Sequence, residues 1–218
     1  MAIILDDWGN NPRPLQYVYD IDRPVTISIL PNLRFSRKIA EEAFAHGVGI
    51  MLHMPMQPKN KAPLEPKTIL TTTSDEDIQN YLEAALASVP HALGVNNHMG
   101  SAATSDLRVM GTVLRYLKGR GLFFVDSNVI PTTVGPRVAQ ETGIAFGKRD
   151  VFIDNKASSV SIKKYLERAK KQALLTGRVV AIGHDKELTL RTIKEIIPEF
   201  EKEGIKFVLV KDIVEGSE

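Results

Sequence analysis

The chain has no cysteine among its 218 residues, so it carries no disulfide framework, no thiolate nucleophile and no thiolate metal site. Any metal it binds must take nitrogen and oxygen ligands. It also lacks a dominant charge: 28 basic side chains face 26 acidic ones, which leaves no strong field to attract nucleic acid. Long apolar runs are missing, since none approaches the roughly 18 residues needed to cross a bilayer. No charged-then-apolar leader precedes the first strand-like run, and the sequence has no internal repeat or low-complexity segment. With 43% apolar and 25% charged residues, the size and composition are compatible with a compact enzyme, one α/β barrel or doubly wound domain over residues 1–218, long enough to bury a sizeable core.

What is present is alternation. Strand-like runs occur at Ala2 to Leu5, Val25 to Leu30, Gly49 to Leu52, Leu93 to Asn96, Leu122 to Val125, Ile144 to Phe146 or Val151 to Ile153, Val179 to Ile182, and Lys206 to Val210. Amphipathic stretches separate them, which predicts seven or eight mostly parallel strands, enough to close a barrel. Ser36, Ser74, Thr104, Ser161 and Thr189 stand where helices should start, and Gly47, Gly119, Gly121, Gly177 and Gly204 where they should end. Two long connections interrupt the pattern, Met54 to Thr73 (rich in Pro and Lys) and Val129 to Ala145; they read either as walls of a groove or as surface excursions.

Three of the five histidines end strand-like runs: His53, His98 and His184. A fourth run, Ile3-Ile4-Leu5, ends in Asp6-Asp7. Short loops at the carboxyl ends of strands gather distant positions around one mouth. Adjacent carboxylates there repel unless a cation or hydrogen-bond donors compensate them, although Gly9, Asn10, Asn11 and Pro12 also allow a plain turn. One histidine alone reads as a satisfied semi-buried imidazole. Three with an acid pair match a two-His, one-carboxylate metal site plus a spare imidazole for proton transfer. His46, in the last turn of a helix, and His91, after Pro90, read as structural.

Ile4-Leu5-Asp6-Asp7-Trp8-Gly9, Leu52-His53-Met54-Pro55-Met56, Gly94-Val95-Asn96-Asn97-His98-Met99-Gly100-Ser101, Phe124-Val125-Asp126-Ser127, Arg149-Asp150-Val151-Phe152-Ile153-Asp154 and Ile182-Gly183-His184 together resemble the divergent polysaccharide deacetylase family, a branch of the NodB-like carbohydrate esterases. The resemblance runs from the first strand to the last, and the string Asn96 to Ser101 is its most specific part. It implies a distorted (β/α) barrel, a divalent metal, usually zinc, held by one Asp and two His, a polysaccharide or amino-sugar substrate, and an exported, envelope-facing protein. It also implies Asp6 as base, Asp7 and His53 as metal ligands, and His184 as general acid. Mainstream relatives carry a second metal histidine where this chain has Gln57, and an Arg-rich proline motif where it has Asn96 to Ser101. His98 is therefore inferred to supply the missing ligand from the neighbouring strand.

The resulting expectation is metal-dependent hydrolysis, by activated water, of an acetyl group on a sugar polymer, N-acetyl ahead of the alternative O-acetyl. Asn97 and Asp126 are expected to orient these groups, and Trp8, Met54 and Met56 to contact a sugar face. Arg149-Asp150 and Asp154-Asn155 read as substrate or orienting groups, or as solvated turn residues. Two other readings stand beside this one. A glycosidase would use Asp6 or Asp7 with Asp126 but leaves three histidines without a role. A glycan- or protein-binding barrel without turnover is suggested by Gln57.

Overall fold

The computed structural model describes residues 1–214. Eight strands, β1 (Ala2–Trp8), β2 (Thr26–Ile29), β3 (Gly49–Met56), β4 (Gly94–Met99), β5 (Phe123–Asp126), β6 (Phe146–Lys148), β7 (Val151–Phe152) and β8 (Val180–His184), form one sheet. Its order is β6-β5-β4-β3-β2-β1-β8-β7, and every pairing is parallel. Six helices lie between strands, α1 (Leu15–Tyr19), α2 (Ser36–Ala45), α3 (Asp75–Ser88), α4 (Leu107–Gly119), α5 (Gly135–Thr142) and α6 (Ser159–Thr176), and α7 (Glu187–Lys202) follows the last strand. β6 and β7 lie at opposite edges of the sheet although only Arg149 and Asp150 separate them in sequence. The sheet therefore curls into a half-barrel whose edges this dipeptide joins. The Arg149 N–H donates to the Asp126 carbonyl (2.8 Å) and the Asp150 N–H to the Val180 carbonyl (2.9 Å).

Strand alternation divides the apolar residues into two sets. Ile3, Leu5, Leu52, Val95, Phe124 and Ala181 face the helices and join one core with Ile39, Leu82, Leu114, Ile193 and Phe200. Ala2, Ile4, Met51, Phe123, Val125, Val180 and Ile182 fill the barrel interior with Val210 and Val214. A one-residue slip of any strand would exchange the sets, so this two-sided burial fixes the register. Continuing the interior set toward the carboxyl ends of the strands gives Asp6 after Ile4, His53 after Met51 and His184 after Ile182. These candidate site residues thus cap a column of apolar side chains.

One strand breaks alternation. β1 pairs Leu5 with Ile27 but Trp8 with Ile29, so three steps on β1 oppose two on β2. Asp7 occupies this bulge in the left-handed region (φ 69°), a conformation Asp tolerates better than most residues. The bulge lets consecutive carboxylates Asp6 and Asp7 serve the same mouth, and it turns Trp8 outward. Trp8 is fully buried in the helix-facing core, as are Met54 and Met56, so none of the three is placed to contact a sugar face.

Other sequence expectations are corrected locally. Ile144 to Phe146 and Val151 to Ile153 were alternatives, and a strand forms in the region of each. Lys206 to Val210 forms no ladder strand; it makes one bridge, Ala2 with Val208, and passes into a 3₁₀ turn at Val210–Asp212. The connection Val129 to Ala145 contains α5, which opens on Gly135-Pro136 and closes at Gly143 (φ 67°). Of the proposed caps, Ser74 accepts from the Asp77 N–H as expected. Asp106 and Ser158 cap α4 and α6 in place of Thr104 and Ser161, and α7 starts before Thr189. Ser36 is the first residue of α2 and Gly119 the last of α4.

Candidate active site and metal centre

Register sets the site. β1 places Asp6 beside His184 of β8, and β3 places His53 beside Asn96 of β4, with His98 two residues further along the same face. Asp7 Oδ1 lies 3.3 Å from His53 Nε2 and 3.1 Å from His98 Nδ1, and the two ring nitrogens are 3.1 Å apart. These three residues meet the spacing of a metal-binding group. Four ligands at about 2.0–2.1 Å around a tetrahedral cation stand about 3.3 Å apart, close to the observed triangle.

Two observations test whether these residues suit a cation. Asp7 Oδ1 is buried and has no aligned hydrogen-bond donor despite the two nitrogens beside it. A buried carboxylate oxygen left this way is costly, and a shared cation would satisfy it. The donor set, one carboxylate and two imidazoles, also matches the chemistry of a hydrolytic metal site with room for further ligands. Burial works against ionisation of Asp7, but His53 and His98 outweigh it and hold its carboxyl far below the usual range. The His53 ring is likewise disfavoured as a cation by burial, yet Asp6 and Asp7 lift it to about 9 in the metal-free protein.

Asn96 organises the floor beneath the triangle. Its carbonyl oxygen accepts from the Ser28 hydroxyl (2.5 Å) and lies 2.8 Å from His53 Nδ1. Its amide nitrogen donates to Asp6 Oδ1 (2.9 Å) and to the Ser127 hydroxyl (3.3 Å). Because the amide oxygen can only accept, His53 carries its proton on Nδ1 when neutral and presents the Nε2 lone pair to Asp7. Asp6 is buried beside this amide, and its pKa is raised, chiefly by desolvation, against the opposing pull of His53 and Asn96.

On the other side of the mouth, His184 Nδ1 donates to Asp154 Oδ1 (2.9 Å). Asp154 Oδ2 accepts from the His184 backbone N–H (3.0 Å) and the Thr189 hydroxyl (2.9 Å). The free edge of the ring, Nε2, lies 3.7 Å from Asp7 Oδ2. Burial lowers the His184 pKa, but Asp154 outweighs it and the net shift is upward. Phe152 meets the imidazole edge-on (5.2 Å between centroids), and the Arg149 guanidinium lies over Phe152 (4.7 Å).

Alternation sorts the remaining candidates. Asn97 follows the helix-facing residue Val95, so it points away from the mouth. Its oxygen accepts from the Ser127 N–H and its nitrogen donates to the Met99 carbonyl, and the orienting amide is Asn96 instead. Asp126 follows Phe124 and also points outward, where it accepts from the Asn128 N–H (2.7 Å) and the Thr133 hydroxyl (2.6 Å) rather than from a site residue. Arg149 feels the charges of both Asp6 and Asp126, although burial lowers its own pKa overall. Gln57 accepts from the Thr71 N–H and hydroxyl, a loop anchor rather than a ligand. His46 stacks on Tyr19 and His91 on Phe44, away from the mouth.

Residues 3–214 match the model of the divergent polysaccharide deacetylase family. The chain belongs to this family. It is 34% identical over 197 residues to the uncharacterized protein YibQ of Escherichia coli K12, covering 90% of this chain and 62% of that protein. An uncharacterized Haemophilus influenzae protein is 30% identical over 194 residues, covering 89% and 69%. The chain thus spans about two thirds of the length of these relatives. Among solved structures, an uncharacterized Agrobacterium tumefaciens protein superposes with a TM-score of 0.90 at 22% identity over 96% of this chain and 86% of that one. The catalytic domain of a peptidoglycan N-acetylglucosamine deacetylase from Eubacterium rectale gives 0.61 at 14% identity, covering 96% and 87%. A family 4 carbohydrate esterase pseudoenzyme from Bacillus anthracis gives 0.56 at 10%, covering 99% and 66%. These neighbours share the NodB-like fold, and family and fold together mark the chain as deacetylase-like.

Proposed function

We propose that this mouth removes acetyl groups, N-acetyl in particular, from an amino-sugar polymer, with Asp7, His53 and His98 holding a divalent cation such as zinc. The supporting observation is the triangle of Asp7 Oδ1, His53 Nε2 and His98 Nδ1, with a buried oxygen that accepts no aligned hydrogen bond. A cation held there supplies Lewis acidity toward an acyl oxygen and lowers the pKa of water.

The protein's own residues divide the proton work. Asp6 is the base: its raised pKa makes it a better proton acceptor than an ordinary surface carboxylate, and Asn96 fixes its Oδ1. His184 is the acid: Asp154 orients the ring and favours its protonated form, so Nε2 delivers a proton to the departing amine. Asp154, held by Thr189, stays ionised, as its lowered pKa requires. Among the described residues no helix is long and apolar enough to cross a membrane. An envelope-facing location, by analogy with the family, belongs to this proposal.

The test is acetate release from N-acetylglucosamine oligomers and from peptidoglycan by zinc-loaded protein. Release that Asp6→Asn abolishes while zinc stays bound supports the reading. Stoichiometric zinc with no release from any acetylated glycan would instead favour a binding barrel without turnover.

A further inference from the structure

The segment between β3 and α3 is the longest connection without a helix among the described residues, and it reaches the site through Glu65. Glu65 Oε1 lies 3.3 Å from His98 Nε2, the ring nitrogen pointing away from Asp7. Glu65 is the sole acidic residue between Gln57 and Ser74, set among Lys59, Lys61 and Lys67. Its backbone is tied down, because the Thr68 N–H (3.2 Å) and hydroxyl (2.7 Å) both donate to the Glu65 carbonyl. Further anchors hold the ends of the segment: Gln57 N–H to the Ile69 carbonyl, Ile69 N–H to the Pro55 carbonyl, and Lys59 N–H to the Ser101 hydroxyl.

His98 differs from His53 in what orients it. Asn96 fixes the outer nitrogen of His53 from within the barrel. The outer nitrogen of His98 is buried without an aligned partner, and Glu65 is the group beside it. A neutral imidazole places its single proton on one nitrogen. On Nδ1 that proton would point at Asp7 and His53 and block the shared position; on Nε2 it faces Glu65 and leaves the Nδ1 lone pair free. A carboxylate at the outer nitrogen favours the second tautomer and makes the ring a better ligand.

We propose that Glu65 is the positioning residue for His98, and that through it the segment from Gln57 to Thr68 and the cation site stabilise one another. This rests on the reading of Asp7, His53 and His98 as metal ligands. Coupling of this kind is reciprocal: if an ordered Glu65 tightens cation binding, a bound cation must order the segment by the same factor.

The experiment compares wild type, Glu65→Ala, Glu65→Gln and His98→Ala for zinc affinity by chelator competition. In parallel, trypsin cleavage at Lys59, Lys61 and Lys67 is followed with and without zinc. Glu65→Ala is expected to bind zinc about 10- to 100-fold more weakly, the usual cost of losing such a partner, with Glu65→Gln between it and wild type. Zinc should slow cleavage of the segment in wild type and not in Glu65→Ala. If wild type binds zinc and His98→Ala loses it, but Glu65→Ala matches wild type in affinity or protection, the role of Glu65 is overturned while the ligand set stands. If wild type binds no zinc, both fall.

Discussion

The two sides of the barrel mouth hold histidine in opposite ways. On the β3–β4 side, His53 and His98 turn their ring nitrogens toward one another and toward a single oxygen of Asp7, and the group behind His53 is a neutral amide. On the β7–β8 side, His184 stands alone with its own carboxylate, Asp154, pinned by a hydroxyl and a backbone N–H. Two imidazoles in contact cannot both carry protons cheaply, so that side suits a shared cation. An imidazole with a dedicated buried carboxylate gains and loses a proton without moving, which suits proton delivery. Asp6 and Asp7 repeat the contrast in adjacent residues: burial raises the pKa of the first, while two imidazoles depress that of the second. Environment rather than residue type assigns the roles.

The largest effect should come from striking the cation side. Asp7→Ala and His53→Ala are expected to abolish stoichiometric zinc, measured by metal analysis after dialysis, while His184→Ala retains it. Zinc retained by Asp7→Ala would remove the contrast between the two sides.

Next come the proton-carrying residues. Asp6→Asn and His184→Ala should keep zinc yet lose about 10²- to 10⁴-fold in kcat on N-acetyl sugars. His184→Ala should spare activated aryl acetates, whose leaving groups need no proton. Equal loss on both substrates would reject the acid role.

Asn96→Ala should weaken zinc binding by about 10- to 100-fold, because the His53 tautomer is no longer fixed. It should also cost about 1–3 kcal/mol in denaturant unfolding, as the buried partners Ser28, Asp6 and Ser127 lose their common amide. Unchanged zinc affinity in this variant would detach Asn96 from the site.

The gentlest test is pH. The His53 pKa is lifted to about 9 in the metal-free protein, so its contribution to stability is complete below its ordinary value of 6.5 and disappears as pH rises through 9. Metal-free Tm should therefore decline from pH 6.5 to 9, with a shallower decline in His53→Gln. Zinc affinity should rise over the same interval, because the ligand must shed its proton. A metal-free Tm that climbs through this range would contradict the charge assigned to His53.

Much of this was legible in the sequence, for physical reasons. Asp6, His53 and His184 close apolar runs, and buried parallel strands are written as such runs. Alternation from His98 also points to Asn96 rather than Asn97, and from Phe123 and Val125 it turns Asp126 outward; residue type alone favoured the wrong choices. Trp8 was misplaced because the bulge at Asp7 shifts alternation by one, and a bulge leaves little trace in sequence beyond an Asp that tolerates positive φ. Helix α5 offers only Val138 and Ala139 to the core near its middle, too few to show a period, although Pro136 and Gly143 marked its ends. Lys206 to Val210 reads as a strand because its residues after Lys206 are apolar, but they divide between Phe207 in the helix-facing core and Val210 in the barrel interior, with a single bridge from Val208 to Ala2. Glu65 gave no signal, since its partner lies on another strand and only the folded chain brings them together.

The three-residue cation site can be seen or refuted in a density map of zinc-soaked crystals. One ion should appear with Asp7 Oδ1, His53 Nε2 and His98 Nδ1 at about 2.0–2.2 Å, and Asp6 and His184 outside its coordination. An ion held without His98, or bound elsewhere with this triangle unchanged, would contradict it.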